Sequence, residues 1–420
     1  MNNARSVIVV GGGVVGLCTA YYLAREGFAV TVVERSAEGA DSCAHGSAGY
    51  VSPSHVVPLS APGMVKQGLK WMLSSRSPFY IKPRLDPTLW RWAWLFAQSC
   101  TPEHTRRAAP LLRDLCVAAR ALFGELAAQT GNAFELRREG LLNLCQTEEM
   151  LEHETHGLAR LANELGVEAR TIDAREAGAL EPGIKMKVVG AVYFPGDAHL
   201  SPRKFVPVMA ARAREAGVAF RWETTVRGWA TAGGRVTGVA TSTGLLTADE
   251  YVIATGSWAG DTVTGLRLRV PMQAGKGYSL TLARPRWQLT KSLILTERRV
   301  AVTPMGETLR FGGTMEISGH DGRVRPERVE QIVAGARAFF PEMTAEDFAG
   351  VKPWFGYRPV SPDGLPYIGR FGRYANLTAA CGHAMLGLTM APITGVLVAD
   401  VLAGRAPRVD LAMLRPDRFA

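Results

Sequence analysis

The chain of 420 residues is 47% hydrophobic and 20% charged, the composition of a soluble globular protein that is long enough for two domains. Its net charge of +10 suits nucleic acid, an anionic membrane surface or an anionic substrate, but the sequence has neither a basic run nor a nucleic-acid-binding module, so nucleic acid is excluded as a partner. The six cysteines form no CxxC pair and no stretch of about 18 apolar residues lacks a charge, so we expect no metal site, no disulfide framework and no membrane span in a cytoplasmic protein.

The first elements in the chain are a strand, a glycine turn, a helix and a second strand. Apolar residues predict strands over 6–10 and 29–34, and a helix over 14–26 with Gly27 placed to cap its end. This order is that of a Rossmann βαβ unit.

The turn contains the dinucleotide fingerprint Gly11-Gly12-Gly13-Val14-Val15-Gly16. Gly11 permits the tight turn, Gly13 lets the backbone approach a pyrophosphate, and Gly16 allows close packing of helix and strand. The helix N-terminus offers N–H groups and the positive end of its dipole to phosphates. Glu34 can accept hydrogen bonds from ribose hydroxyls, which disfavours NADP, but these residues leave NAD and FAD as alternatives.

The rest of the chain alternates between helical and strand patterns, after a region rich in tryptophan and proline at 56–98. The predicted helices lie over 111–129, 148–165, 326–340 and 387–402. The predicted strands lie within 220–253, with a turn at Gly233-Gly234, and over 278–282, 308–313 and 377–380. The mixture predicts an α/β protein in which a Rossmann domain is interrupted by a second, sheet-containing domain.

Further motifs follow along the chain. They are Ser47-Ala48-Gly49 with Ser52-Pro53, Ala61-Pro62-Gly63, Gly275-Lys276-Gly277-Tyr278-Ser279-Leu280, Arg358-Pro359 with Pro362-Asp363-Gly364, and Gly382-His383 with Leu386-Gly387 and Thr389-Met390. Together with the N-terminal fingerprint, these motifs resemble those of the D-amino-acid oxidase superfamily of FAD enzymes, and most closely those of the bacterial D-amino-acid dehydrogenases. The resemblance runs nearly from end to end and implies FAD as the cofactor.

This resemblance also implies a division into domains. A discontinuous, Rossmann-type FAD-binding domain is expected over 1–55, 196–268 and 352–420. It is interrupted by an α+β substrate domain with a mostly antiparallel sheet, over 56–195 and 269–351. The FAD is expected to be noncovalent, because neither Cys43 nor His45 falls on an attachment position of the superfamily.

The resemblance assigns the cofactor contacts. The segment 42–49 is expected beside the flavin ring and the pyrophosphate, where small residues let the backbone press against a flat ring system. Val226 would hold the adenine end through its main chain, and the helix that begins after His383 would stabilise negative charge on the reduced flavin. The predicted cofactor-binding residues are Gly11, Gly13, Val14, Val15, Gly16, Glu34, Arg35, Ser42, Ser47, Ala48, Gly49, Val226, Ala254, Gly256, Trp258, Gly382, His383, Met385, Gly387, Leu388 and Thr389.

The same resemblance assigns the substrate contacts. Arg358 would anchor the substrate carboxylate through two parallel hydrogen bonds, with a surface ion pair to Asp363 as the alternative. Tyr278 matches an active-site tyrosine of related dehydrogenases, although a core tyrosine is the alternative. Tyr50 and His55 are further candidates for substrate binding, or else belong to a structural turn. The predicted catalytic residues are Arg358, Tyr278 and His383, the last of which has a core histidine as its alternative.

Together these implications predict FAD-dependent oxidation of D-amino acids, or of cyclic ones such as D-proline or a hydroxy-D-proline. Hydride would pass from Cα to flavin N5, and the electrons to a quinone or another carrier. One alternative is an oxygen-reducing D-amino-acid or glycine/sarcosine-type oxidase. Another is an FAD-bearing structural subunit of a larger dehydrogenase complex. The substrate-anchoring role expected of Arg358 disfavours this alternative.

Residues 60–94 combine basic and aromatic side chains. Four of the nine tryptophans lie here, with Asp86 as the one acid. The basic residues are Lys66, Lys70, Arg76, Lys82, Arg84 and Arg91. Because such a mixture is attracted to an anionic bilayer, it predicts peripheral contact with the inner face of the cytoplasmic membrane. The alternative is that these residues wall the substrate pocket and pack between the domains.

Overall fold

The computed structural model describes residues 4–72, 77 and 79–420, and its strands form four sheets. The strands are β1 (Ser6–Val10), β2 (Ala29–Val33), β3 (Tyr50–Val51), β4 (Phe79–Ile81), β5 (Leu141–Cys145), β6 (Arg170–Asp173), β7 (Gly190–Phe194), β8 (Ala198–His199), β9 (Ala219–Arg221), β10 (Val226–Ala232), β11 (Arg235–Thr241), β12 (Gly244–Leu246), β13 (Glu250–Ile253), β14 (Gln273–Ala283), β15 (Ser292–Leu295), β16 (Val300–Met305), β17 (Thr308–Ile317), β18 (Trp354–Val360), β19 (Tyr367–Arg370) and β20 (Leu377–Cys381). The α-helices are α1 (Val14–Arg25), α2 (Met64–Met72), α3 (Pro87–Ser99), α4 (Pro102–Gln129), α5 (Glu148–Glu154), α6 (Arg160–Glu164), α7 (Ala174–Leu180), α8 (Pro202–Glu215), α9 (Ala259–Val263), α10 (Pro326–Phe339) and α11 (Gly387–Ala403).

The six-stranded sheet has the order β19-β20-β13-β1-β2-β9 and is parallel except for β19. The residues of β1 from Val7 to Val10 are buried on both faces: one face shares a core cluster with α1 and α11, and the other with β11 and α9. From β1 the chain passes to β2 on one side and later to β13 on the other. The fingerprint turn therefore lies at the switch point of the sheet, and the predicted Rossmann domain is confirmed.

The nine-stranded sheet is mostly antiparallel, in the order β18-β14-β17-β16-β15-β5-β7-β6, with β4 paired to β17. Helix α10 covers one face, where its side chains Ile332, Ala336 and Phe339 are buried in the apolar core. This agrees with the predicted antiparallel second sheet. The domain boundaries stay a prediction: β18 falls in the range expected for the FAD-binding domain, yet it pairs with β14 in this sheet.

Helix α4 is longer than the predicted helix over 111–129. Thr101 caps its start, because its Oγ1 accepts the N–H of His104 at 3.1 Å, and Pro102 occupies the first turn. Pro110 lies inside the helix and does not end it. A π-helical turn at Thr155–Ala159 joins α5 to α6 within the range of the second predicted helix.

The stretch Ala384–Ala403, which includes α11, is long and apolar enough to cross a bilayer. In the structure 78% of its most apolar window is buried. Gly395 of this helix lies so close to α1 that a Cβ would be 2.7 Å from the Cys18 carbonyl oxygen. These features are those of the core helix of a Rossmann domain.

Candidate active site

The fingerprint glycines differ in what surrounds them. Gly11 has a φ of 110°, and a Cβ at this position would meet the Ala254 carbonyl at the end of β13. At Gly16 a Cβ would overlap the Gly11 carbonyl oxygen, so α1 can approach the turn only without a side chain there. At Gly13, in contrast, no described atom lies within 4 Å of the Cβ position. This open space in front of the helix N-terminus fits a pyrophosphate.

Glu34 lies at the edge of the same turn. Its Oε2 accepts the Gly12 N–H at 2.7 Å and its Oε1 accepts the Ser36 N–H at 3.0 Å. These bonds fix the carboxylate beside the turn, a position that fits the predicted contact with ribose hydroxyls. The neighbouring Arg35 guanidinium lies 4.0 Å from the ring centroid of Trp258, so three predicted cofactor residues meet at this end of the sheet.

The segment 42–49, which we call the flavin segment, runs across one face of the nine-stranded sheet. Gly46 lies against Trp354 of β18, whose indole ring a Cβ would overlap. The N–H groups of Gly46, Ala48 and Gly49 form no hydrogen bonds with other described residues. They are available to a ligand, which fits the predicted position beside FAD.

Strand pairing shows which residues share the face under the flavin segment. Directly opposed residues of an antiparallel ladder point to the same side of a sheet. Gly275 opposes Arg358, Gly277 opposes Gly356, and farther along β14 Thr281 opposes Arg310. We call the side on which these residues lie the site face.

The Arg358 side chain lies over Gly277, where a Cβ would overlap the guanidinium. Its Nη1 donates to the carbonyl oxygen of Thr314 at 3.1 Å, and Thr314 has a φ of 59° at an irregularity of β17. No carboxylate of the described residues forms an ion pair with Arg358, and burial lowers its pKa from the ordinary value. The alternative pairing to Asp363 is not formed, because Asp363 binds Arg418 at 2.7 Å.

Tyr278 lies on the opposite face of the sheet. It opposes Phe355, and its hydroxyl is 3.3 Å from Oε2 of Glu316, to which it donates. Burial, followed by the charge of Glu316, raises the pKa of Tyr278 well above its ordinary value. The structure does not bring Tyr278 to Arg358, and its surroundings fit the alternative of a core tyrosine with one satisfied hydroxyl.

Of the other candidates from the sequence, His383 and Tyr50 have hydrogen-bond partners of their own among the described residues, and His55 does not. His383 Nε2 lies 2.9 Å from Thr394 Oγ1 within α11, and burial lowers the pKa of His383 to about 3. The Tyr50 hydroxyl donates to the Leu293 carbonyl at 2.7 Å, on β15, four strands along the sheet from β18. His55 Nδ1 is buried without a hydrogen-bond partner among the described residues, and burial lowers its pKa.

The start of α11 is joined to β3, the strand that directly follows the flavin segment. Helix α11 begins at Gly387 as predicted, and the Thr389 Oγ1 donates to the carbonyl of Tyr50 at 2.7 Å. Met385, just before the helix, is half-exposed. Val226 is the first residue of β10.

One residue of the site, Arg310, was missed by sequence analysis, whereas Cys43 lies in the segment 42–49 that the sequence places beside the flavin. Arg310 is buried on the site face, and Cys43 is close enough for the charge of Arg358 to lower the pKa of its thiol. Burial is the larger influence and raises the pKa of Cys43 to about 11, so the thiol is protonated at neutral pH. The signal for Arg310 was a charged residue inside the predicted strand 308–313, immediately before Phe311 and two glycines.

Comparisons with known proteins place the chain in a family. The family model for FAD dependent oxidoreductases matches residues 6–401. The chain is 35% identical over 420 residues to a D-amino acid dehydrogenase of Granulibacter bethesdensis, with 99% of each chain covered. It is 37% identical over 409 residues to a D-amino acid dehydrogenase of Methylobacterium nodulans, with 96% of each covered.

Solved structures show the same fold. Glycine oxidase from Geobacillus kaustophilus aligns with a TM-score of 0.78 and 23% identity, covering 99% of this chain and 100% of that chain. L-Proline dehydrogenase from P. horikoshii aligns with a TM-score of 0.75 and 20% identity, covering 100% and 98%. These findings confirm the resemblance found in the sequence: the chain belongs to the FAD-dependent oxidoreductase family, and it is an oxidoreductase with FAD as its cofactor.

Proposed function

We propose that the protein is a dehydrogenase that oxidises the Cα–N bond of D-amino acids, cyclic ones included. The observation that carries this proposal is the half-buried Arg358 guanidinium, which lies on the site face without a carboxylate partner among the described residues. The names of the relatives that match over nearly the whole chain support the substrate class.

In this proposal Arg358 binds the substrate carboxylate through two parallel hydrogen bonds. The absence of a side chain at Gly277 lets the guanidinium lie over β14, and the Thr314 carbonyl orients it. The fingerprint turn, Glu34 and the flavin segment would hold FAD. Bound FAD supplies the redox chemistry by accepting hydride from Cα.

The site needs no protein base for this step. Loss of hydride from a neutral amine leaves a protonated imine. Water hydrolyses this imine to a 2-oxo acid and ammonium when the substrate is acyclic, whereas a cyclic amino acid gives a cyclic imine. The nearby groups agree with this, because the Cys43 thiol is protonated and the His383 imidazole is bonded to Thr394. We propose that the groups around Arg358 bind and orient the substrate and exclude water from it, and that none of them removes a proton.

Anaerobic mixing of the holoenzyme with D-, L-, N-methyl and cyclic amino acids tests the substrate class. We expect D-amino acids and cyclic D-amino acids to bleach the flavin absorbance, and L-amino acids to leave it unchanged. Bleaching by L-amino acids alone, or by no compound of the panel, would contradict the proposal, and the second result would favour a structural subunit. Faster reoxidation by oxygen than by a quinone analogue would favour the oxidase.

We further propose that the acceptor is a quinone and that the protein is cytoplasmic and docks on the inner face of the cytoplasmic membrane. Trp90 and Trp94, one turn apart on α3, are 61% and 60% exposed, and Leu69 on α2 is 62% exposed. The docking surface comprises the exposed residues Val65, Leu69, Leu85, Trp90 and Trp94 with Lys66, Lys70 and Arg91. Exposed apolar side chains among basic ones suit an anionic bilayer.

Other residues of the region 60–94 pack or bond within the protein, which fits the alternative of a structural role better than membrane contact. Trp92 is buried, and Arg84 is bonded to Asp86 and to Gln273. Arg76 lies outside the described residues. The membrane proposal therefore rests on the docking surface alone.

The attachment of α3 supports a quinone as the acceptor. Trp92 Nε1 donates to the Val360 carbonyl at 2.9 Å, two residues beyond Arg358 on β18. Leu89 packs in the same cluster with Ile317, at the end of β17. A bilayer bound at α3 would lie next to the strands that bear the site, which gives a lipid-soluble acceptor a short route.

Sedimentation with vesicles of phosphatidylglycerol and phosphatidylcholine tests docking. The wild type should sediment at low salt and dissociate at high salt, because surface charge attraction is screened over about 8–10 Å at physiological salt. Trp90→Ser with Trp94→Ser, or Lys66→Glu with Lys70→Glu, should abolish sedimentation without changing turnover with a soluble dye. Leu245→Ser removes a comparably exposed apolar side chain on β12 and is the matched control. No sedimentation of the wild type at low salt would contradict docking.

A further inference from the structure

Arg310 is a second arginine on the site face, and it links the sheet to the flavin segment. It is 3% exposed, and its Nε donates to Thr281 Oγ1 at 3.1 Å. Its Nη1 donates to the carbonyl oxygens of both His45 and Ser47, at 2.8 Å each. The side chain therefore ties two carbonyls of the flavin segment to β17.

The charge of Arg310 is not neutralised by an ion pair within the described part of the chain. Its hydrogen-bond acceptors are two carbonyls and a hydroxyl, and the Asp41 carboxylate is paired with Arg203 at 3.0 Å. Burial lowers the pKa of Arg310 to about 10, which still leaves it charged at neutral pH. A buried charge without a counter-charge costs free energy, and the binding of a group that carries or gains negative charge compensates for that cost.

The flavin segment provides the place for such a group. Its Gly46, Ala48 and Gly49 N–H groups have no partner among the described residues, while its His45 and Ser47 carbonyls are occupied by Arg310. The flavin segment thus has N–H donors available for a ligand, while its two bonded carbonyl acceptors face the Arg310 guanidinium. A flavin gains negative charge on reduction, and a fixed positive charge beside it stabilises the reduced state.

We propose that Arg310 is a positioning residue that sets the flavin segment for the cofactor and also raises the reduction potential of the bound flavin. The inference rests on FAD binding at this segment and not on the identity of the substrate. The inference about Arg310 therefore does not depend on the amino-acid screen, because the midpoint potential of the flavin is measured by chemical reduction.

The test measures the midpoint potential of the bound flavin, against a reference dye, and the Kd of the apoprotein for FAD. In Arg310→Met we expect a tenfold or larger loss in the equilibrium constant of two-electron reduction, which is about 30 mV, together with weaker FAD binding. Arg310→Lys keeps the charge but cannot hold both carbonyls in the same way. It should stay close to the wild-type potential and show the weaker FAD binding.

Arg203→Met is the matched control, because it removes an exposed positive charge near the same segment and should change neither quantity. An unchanged potential in Arg310→Met would overturn the proposal. If that variant does not fold, the test is the pH dependence of the flavin midpoint potential in Arg310→Lys. The potential of this variant should fall below that of the wild type as alkaline pH deprotonates the buried ammonium. Plots of potential against pH that are parallel for the two proteins would overturn the proposal.

Discussion

The strands of the nine-stranded sheet carry charged side chains on both faces, but among the described residues these side chains form ion pairs on only one face. On the site face Arg358 and Arg310 bind carbonyl and hydroxyl oxygens of the described chain. On the opposite face Lys276 and Arg325 lie 3.7 and 2.9 Å from the carboxylate of Glu316. A buried ion pair compensates its own charge, whereas a buried cation without one retains the capacity to bind an anion. This difference supports the proposal that the site face binds the ligand and that the charges on the opposite face are structural.

The largest expected effect concerns the paired charges. Glu316→Leu leaves Lys276 and Arg325 without a counter-charge and should lower the free energy of unfolding by about 3–5 kcal/mol, measured by denaturant titration. The double variant Lys276→Met/Glu316→Leu should recover most of that loss, because it removes a buried charge with its partner. A single variant as stable as the wild type would remove the distinction between the faces.

Asp197 extends the comparison to a buried acid that has no ion pair among the described residues. Its Oδ2 accepts from Ser54 Oγ at 2.6 Å, and burial raises the pKa of Asp197 to about 7. An unfolded carboxyl titrates near pH 4, so between about pH 4 and 7 the folded state binds more protons and the stability contributed by this group falls as pH rises.

Asp197→Asn should remove this fall. The free energy of unfolding of the wild type minus that of the variant should decrease from pH 4 to pH 7 by up to about 4 kcal/mol. The difference is the useful quantity, because the neighbouring His199, whose pKa burial lowers to about 4, titrates in both proteins. A difference that does not change with pH would show that Asp197 is ionised in the fold throughout.

Gly277→Ala sharpens the account of the site face. The added Cβ would overlap the Arg358 guanidinium and displace it from β14, while the fold is retained because the clash is with the end of a flexible side chain. We expect a fall in kcat/KM of about tenfold, chiefly through KM, since carboxylate binding loses alignment. Gly312→Ala is the control on the same face, since its nearest neighbours are 3.9 Å from the Cβ position. Equal kinetics in both variants would count against Arg358 as the anchor.

The smallest expected effect is that of Tyr278→Phe. Because the Tyr278 hydroxyl lies on the opposite face, kcat/KM should stay within about twofold of the wild type, and stability should fall by about 1 kcal/mol with the loss of one hydrogen bond. Steady-state kinetics with a D-amino acid provides the measurement. A tenfold loss of kcat/KM would restore the role in substrate binding that the sequence predicted.

The dinucleotide end of the molecule was predictable because its information is local. The turn Gly11–Gly16, the strand that follows and Glu34 lie in one continuous stretch, and the structure has them as a βαβ unit with Glu34 bonded to the turn. The second sheet was predictable in type, from alternating strand patterns, but its strand order joins segments far apart in the chain.

The site face was less predictable because it depends on register. Tyr278 and Arg358 both lie in motifs that resemble the family, but a shift of one residue in an antiparallel pairing moves a side chain to the other face. Pairing of Tyr278 with Phe355 and of Gly275 with Arg358 separates them. The partners of Arg310 and His383 follow from tertiary contacts with the flavin segment and with α11, which no local pattern contains.

The central claim, that Arg358 on the site face anchors a substrate carboxylate, is tested most directly by comparing D-alanine with D-alaninamide. The measurement is the anaerobic rate of flavin reduction over substrate concentration in the wild type and in Arg358→Leu. The wild-type flavin should be reduced more efficiently by the acid than by the amide. Because a charge-assisted bidentate contact is worth roughly 2–5 kcal/mol, the variant should lose about 30- to 5,000-fold in efficiency with the acid. The amide should reduce the flavin of both proteins slowly and at the same rate. A variant that still prefers the acid as strongly as the wild type would contradict the claim and assign the anchor to another residue.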